Sequence, residues 1–323
     1  MKTKIFSFVK ISENSIVASV RIARFISETL DLAIINDESI SDEPLDILII
    51  INGAYAFSGP SILASLGKAI EEAGRVVWVQ NDYTVIPPKD ESGAESPFRK
   101  AFRNRFAAGK PATDYWTTCL DMSRPGVAKT GHRIGERSRY INWNALTTWV
   151  MKSKTMSTRK HSESLIYYGA FRKDRVHYFD RYFAAPTVPT VISCPNNKFD
   201  HYTRVIHETK LESLPDYISE FGLGLYLEDK RSHREFHSPA NLFYEMLSAG
   251  LPMVFQPEAM RMMEKDGYEI SQWVVFSTKD IPAMMEKREQ ILIDQRTEWL
   301  NIAISSRESL PGDVKSAWEF IQS

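Results

Sequence analysis

Apolar positions in this chain fall into two kinds of run, and the two kinds alternate. Short, nearly continuous apolar stretches, "KIFSFV", "LDILIIING" and "RVVWVQND", have the pattern of strands buried on both faces of a parallel sheet. Between them, "SIVASVRIARFISETL" and "GPSILASLGKAIEEAG" repeat apolar residues at helical spacing, the second with Pro60 near its start and Gly74 beyond its end. From Ser164 the rhythm resumes. "SLIYYGAF", "TVPTVISC", "LGLYLED", "PMVFQ" and a short "WVVFS" read as strands. "KDRVHYFDRYFAA", "LPDYISEFG", "SPANLFYEMLSAGLP" and "EAMRMMEKDG" read as helices, and helical segments from Ile281 finish the chain. Strand-helix alternation of this kind predicts open parallel sheets whose ligands gather at the carboxyl ends of the strands.

Between the two series the pattern changes. "SPFRKAFRNRFAAG" is helical, with Phe98, Phe102 and Phe106 on one stripe that reads as core, and arginines on the other faces. "RPGVAKTGHRIGERSRYINW" reads as an extended surface loop leading to a polar linker at "KSKTMSTRKHSES". The expected fold class is therefore α/β, with two Rossmann-like domains whose parallel sheets face a cleft. Residues 1–158 form the first domain, with an insertion at 97–158, and residues 159–305 the second. Residues 306–323 form a helix that packs back on the first.

Length and composition agree with this picture. A chain of 323 residues exceeds one ordinary core. No apolar stretch approaches the roughly 20 residues of a membrane span, and the amino-terminal run is too short for a signal peptide. The expected location is the cytoplasm. Cys119 and Cys194 lack metal-like spacing and read as free thiols.

Charge adds something the hydropathy pattern does not. From Pro97 to Lys160 there are 14 Lys and Arg but only Asp114, Asp121 and Glu136 as acids, so this block carries 14 − 3 = +11. The whole chain carries −1, so the remainder carries −1 − 11 = −12. A basic block in an acidic protein marks where a polyanion can sit. Tyr115, Trp116, Tyr140 and Trp143 are interleaved with its cations, as suits a nucleic acid, although they equally suit a core behind a charged face.

Two stretches carry candidate chemistry. In "SPANLFYEMLSAGLP", Ser238 suits the N-cap, Pro239 the first turn and Gly250 the C′ position. The amino terminus of this helix, with Ser238 and Asn241, is an anion site in waiting. Glu245 has two open placements: facing solvent, or turned toward the same crevice to accept from ribose hydroxyls. In "IYYGAFRKDR" a strand ends at Gly169, and Arg172 and Arg175 open the next helix. Cations are disfavoured at a helix amino terminus unless an anion is present, and two arginines suit a diphosphate.

Taken together, "YYGAFRKDR" followed by "LYLEDK…SPANLFYEMLSAGLPMVF" resembles the donor-binding domain of GT-B glycosyltransferases. It is similar within them to the DNA β-glucosyltransferases of T-even phages, which carry I-Y-G-G-S-F-R…R and a helix with W-E-T-M-A-S. "LDILIIINGAYAFSGP" and "WVQNDYTVIPP" resemble the amino-terminal half of the same family. The resemblance implies Asp82 as general base, Arg172 and Arg175 as diphosphate ligands with Gly169 at their turn, and Glu245 on the uridine ribose. It implies a UDP-sugar donor, UDP-glucose, and as acceptor the hydroxymethyl group of a 5-hydroxymethylpyrimidine, 5-hydroxymethylcytosine, in double-stranded DNA. The target base would be flipped out to reach Asp82. The protein would act as a monomer in the cytoplasm of a phage host. Leu242 stands where the family has an arginine, and Arg172 and Arg175 are one residue closer together than their counterparts. No Asp-x-Asp motif occurs, so a divalent metal has no motif of its own here.

Within this reading the basic block takes the DNA, through Arg124, Lys129, Arg133, Arg137 and Arg139. Two other readings stay open: a GT-B transferase acting on a polysaccharide or small molecule, and a DNA-binding relative without catalysis.

Overall fold

A computed structural model describes residues 1–8, 18–52, 59–80, 97–118, 137–148, 154–169, 175–194, 199, 201–202, 205–208, 214–228 and 239–323. The chain divides into two compact units, Met1–Leu146 with Glu308–Ser323, and Thr147–Arg307.

Among the described residues the first unit is built on a six-stranded, wholly parallel sheet. Its strands are β1 (Thr3–Ser7), β2 (Ile34–Ile35), β3 (Ile47–Ile51), β4 (Arg75–Gln80), β5 (Asp114–Thr117) and β6 (Ser138–Tyr140), in the order β2-β1-β3-β4-β5-β6. β3 and β4 are buried almost throughout, which is why they read as unbroken apolar runs. The helices are α1 (Ala18–Leu30), α2 (Pro60–Glu72) and α3 (Pro97–Ala107). α2 starts with Pro60 at its first turn, as its sequence predicts.

The second unit has a five-stranded parallel sheet among its described residues: β7 (His161–Tyr168), β8 (Thr190–Ser193), β9 (Ile206–Glu208), β10 (Phe221–Tyr226) and β11 (Met253–Phe255). Their order is β11-β10-β7-β8-β9. Its helices among the described residues are α4 (Val176–Phe183), α5 (Leu214–Ile218), α6 (Asn241–Ala249), α7 (Met260–Lys265), α8 (Ile281–Glu286) and the part of α9 (Arg288–Gln322) that precedes Glu308. α6 packs its aromatic side on Tyr268 and Trp299, with the Phe243 ring 4.6 Å and 5.7 Å from theirs.

Three sequence expectations change. "WVVFS" is not a strand: Val274 makes one isolated parallel bridge to Phe255. Just beyond it the backbone N–H groups of Phe276 and Ser277 donate to Asp280, drawing the chain into a capped turn instead of along the sheet. The basic block is not all helix and surface loop, since it supplies β5 and β6. Asp114 opens β5 and pairs with Arg137, just ahead of β6, at 3.3 Å, so charges that suggest a surface segment sit at the ends of sheet strands. Finally, the N-cap of α6 is Ala240 rather than Ser238. The Ala240 N–H donates to the Tyr226 hydroxyl at 3.1 Å, which holds Ala240 extended and starts the helix at Asn241.

Candidate functional site

The strand order of the second sheet reverses between β7 and β10. Open parallel sheets collect ligands outside the carboxyl ends of strands at such a reversal. The residues at that point are Tyr167, Tyr168 and Gly169 at the end of β7, and Leu227 and Glu228 just past β10.

Tyr167 and Tyr168 are successive strand residues, so their side chains leave opposite faces of the sheet. The Tyr168 hydroxyl lies 3.2 Å from Oε2 of Glu245 and 3.2 Å from the Leu242 carbonyl oxygen, both on α6. The Tyr167 hydroxyl accepts from Nη1 of Arg175 at 3.3 Å, while its ring packs against Phe179 and Phe183 of α4. One strand end thus reaches a candidate carboxylate on one side and a candidate cation on the other. Gly169 follows with φ +142°, a backbone state that other residues rarely adopt, and its N–H donates to the Ser193 carbonyl at 3.0 Å.

Of the two placements open to Glu245, the structure takes the buried one: it is 7% exposed, on a helix buried from Leu242 to Ala249. That burial depends on close approach of α6 to β10. A Cβ at Gly224 would come within 2.5 Å of Met246 Sδ and 2.6 Å of Leu251 Cδ2, so a larger residue there would have to push both side chains aside. At its far end α6 stops at Gly250, in the left-handed conformation expected of a C′ glycine. The Gly250 carbonyl accepts from the Arg159 guanidinium at 2.8 Å. Asn241, the first residue of α6, is partly exposed.

Arg175 is 5% exposed and sits at the start of α4. It forms an ion pair with Glu228, itself 7% exposed, and also reaches the Leu227 carbonyl. Glu228 is held in turn through its backbone N–H, which donates to Oε1 of Gln256, just past β11, at 2.8 Å. Sequence reasoning took Arg175 but missed Glu228. Its signal was an acid immediately after the apolar strand "LGLYL".

In the first unit the carboxyl edge of the sheet carries buried polar residues at the ends of neighbouring strands: Ser7, Asn52, Gln80, Thr117 and Thr118. Gln80, the last residue of β4, precedes Asp82 by two positions. Asp82, Arg172, Ser238, Arg124, Lys129 and Arg133 lie outside the described residues.

The rest of the basic block is largely occupied with the fold. Tyr115, Trp116 and Trp143 are fully buried in the first unit and are not available to stack on bases. The stripe read as core divides, with Phe102 buried and Phe106 63% exposed. Arg137 pairs with Asp114, whose carboxyl burial pushes up and Arg137 draws down. The Arg139 guanidinium lies 3.7 Å from the centre of the Phe320 ring. The buried Arg105 guanidinium donates to the Ile70, Ala73 and Gly74 carbonyls at the end of α2. Among the described residues no three His, Cys, Asp or Glu side chains gather as a metal site would need, and no helix is long and apolar enough to cross a membrane.

No protein-family model matches the chain, and no curated protein matches it by sequence. Solved structures do match in fold. T4 phage β-glucosyltransferase in complex with UDP-glucose superposes with a TM-score of 0.68 at 12% identity, covering 98% of each chain. The same phage enzyme with UDP and Mn²⁺ also gives a TM-score of 0.68 at 12% identity over 98% of each chain. An α-glucosyltransferase in complex with UDP and a 13-mer DNA containing an HMU base gives a TM-score of 0.55 at 11% identity, covering 97% of this chain and 94% of that one. The chain has the fold of these phage glucosyltransferases, GT-B.

Proposed function

We propose that this protein is a DNA-modifying glycosyltransferase. It moves a sugar, glucose, from a UDP-sugar to the hydroxymethyl group of a 5-hydroxymethylpyrimidine, 5-hydroxymethylcytosine, in duplex DNA. The observation that carries the reading is the strand reversal of the second sheet, where Arg175 and Glu245 stand on the two sides of one strand end in a chain sharing its fold with phage glucosyltransferases along 98% of its length.

In this reading the second unit takes the donor. Arg172 and Arg175 hold the diphosphate, Glu245 accepts from the ribose hydroxyls, and Gly169, Ser238 and Asn241 border the phosphates. Asp82, two residues past β4, takes the proton of the acceptor hydroxymethyl group. The resulting oxygen attacks the sugar C1, the bond from C1 to the diphosphate oxygen breaks, and UDP leaves with its charge on the arginines. A base and a leaving group on opposite sides of C1 give inversion. Arg124, Lys129, Arg133, Arg137 and Arg139 are assigned to the DNA backbone.

One observation favours a second reading, transfer to a non-DNA acceptor: Arg137 and Arg139 already have partners, and Tyr115, Trp116 and Trp143 are core. The deciding experiment incubates the protein with hydroxymethylated duplex DNA and a set of nucleotide sugars, followed by mass spectrometry of the nucleosides. A hexose added to the hydroxymethylated nucleoside is expected from UDP-glucose. No added mass with any donor, together with no DNA binding at low salt, overturns the DNA reading.

A further inference from the structure

Arg175 is assigned to the donor diphosphate, yet its guanidinium is paired with a carboxylate of this chain, Glu228. Both side chains are buried, and both stand where the sheet order reverses. A buried ion pair is a poor device for stability alone, because taking two charges out of water costs about what their attraction returns, and apolar side chains of the same size do as well. The Glu228 main chain at the end of β10 is also fixed, since its backbone N–H donates to Gln256.

We propose that Glu228 is an internal counter-anion of the donor site. Its carboxylate occupies Arg175 until a nucleoside diphosphate displaces it. Nη2 of Arg175 meets the Glu228 carboxylate while Nη1 donates to the Tyr167 hydroxyl and the Leu227 carbonyl, so Nη1 keeps neutral acceptors while Nη2 exchanges one ionic contact for another. Two consequences follow. The site avoids an uncompensated buried cation when empty. Because a diphosphate must break the pair whereas a neutral nucleoside leaves it intact, Glu228 weakens binding of the diphosphate and leaves that of the nucleoside unchanged. Glu228 is then a positioning residue that limits how tightly the site holds a nucleoside diphosphate, and this rests on the donor-site reading given above.

The test is calorimetric titration of UDP and of uridine into the full-length wild type, Glu228→Asp and Glu228→Gln. The shorter aspartate keeps the charge but reaches Arg175 less well. If Arg175 is disengaged in only about a tenth of the empty protein, removing its competitor tightens UDP by up to about tenfold. A gain of several-fold is expected for Glu228→Asp and a larger one for Glu228→Gln, with uridine unchanged. Adding Arg175→Gln to either variant is expected to abolish the gain. UDP affinity equal to or weaker than wild type in Glu228→Asp overturns the proposal, as does a gain that survives Arg175→Gln. Should Glu228→Gln fail to fold, the Glu228→Asp comparison decides alone. Failure of the wild type itself to bind UDP is a different result, which overturns the donor-site reading.

Discussion

Replacing Arg159 by methionine tests what holds the helix that carries Glu245. Arg159 lies ahead of β7, is 5% exposed, and donates from its guanidinium to three carbonyl groups. Nη1 reaches Phe221 at 2.8 Å, Nη2 reaches Gly250 at 2.8 Å and Lys154 at 2.9 Å, and Nε reaches Lys154 at 3.2 Å. One side chain thus ties the start of β10 and the end of α6 to the turn before β7. Methionine keeps much of the apolar stem but leaves these carbonyls without donors. Four bonds from a charged donor at about 1.5 kcal/mol each amount to about 6 kcal/mol. Burying the cation has a cost, visible in how burial pushes Arg159 down to about 10, and the variant no longer bears it. If that relief returns about half, the net loss is about 3 kcal/mol. Hydrogen exchange read by peptide is the suitable assay, because a two-unit protein need not unfold in one step. Opening free energies for residues 221–226 and 241–249 are expected to fall by about 3 kcal/mol, while residues 47–51 and 75–80 of the first unit hold theirs. Arg159→Lys, with one donor group in place of a planar fork, is expected to lose most of the same amount. Protection of α6 unchanged within about 0.5 kcal/mol, or lost equally in both units, would refute the assignment.

Tyr168→Phe takes the hydroxyl from Glu245 and the Leu242 carbonyl; denaturant unfolding is expected to show a loss of about 1–2 kcal/mol, and UDP affinity a modest weakening with DNA affinity unaffected. Asp266 is raised by burial to about 6, against the 3.3 Å hydrogen bond from Tyr244 that lowers it. A raised carboxyl contributes its full stability below about pH 4 and loses it as pH climbs through about 6, so Asp266→Asn should match wild type at pH ~4 and exceed it at pH ~7.5, by at most about 3 kcal/mol. Equal stability at both pH values would contradict the burial argument. Asp82→Asn is expected to lose about 10²-fold or more in transfer rate while binding DNA as before. Changing Arg124, Lys129 and Arg133 together to glutamine should flatten the dependence of log DNA affinity on log salt by about 3.

The elements whose environment is uniform were legible in the sequence. β3 and β4 are apolar because both faces are covered, and the ends of α2 and the far end of α6 are marked by proline and glycine whose backbones suit those places. β5 and β6 were not legible, because their burial is paired with charge. Asp114 sits in a strand beside Arg137, a partner 23 residues away that no local pattern reveals. Glu245 was legible as a residue but not as a placement: its surroundings in the interior include Tyr168, on a strand 77 residues earlier, which no local pattern reveals. Glu228 was missed for the same reason, since its partner Arg175 is 53 residues away.

The basic block shows most clearly how a count of charges differs from a count of available charges. Its +11 is a sum over side chains, and the structure shows where several of them are spent. Arg105 and Arg159 are buried on backbone carbonyls, Arg137 and Lys154 have carboxylate partners in Asp114 and Glu220, and Arg139 lies on the Phe320 ring. Between residues 119 and 136 the cations are Arg124, Lys129 and Arg133 and the acids Asp121 and Glu136, a net of 3 − 2 = +1. Eleven phosphate contacts would give a salt slope near −10, whereas the three cations between residues 119 and 136 by themselves give about −3. A shallow slope would therefore fit the DNA reading, provided that specificity comes from the flipped base and its hydroxymethyl group more than from the backbone. A slope near −10 would mean that cations outside residues 119–136 also meet phosphate, exposed ones such as Lys100 and Arg103 directly and those now tied to carboxylates and carbonyls by exchanging those partners on binding.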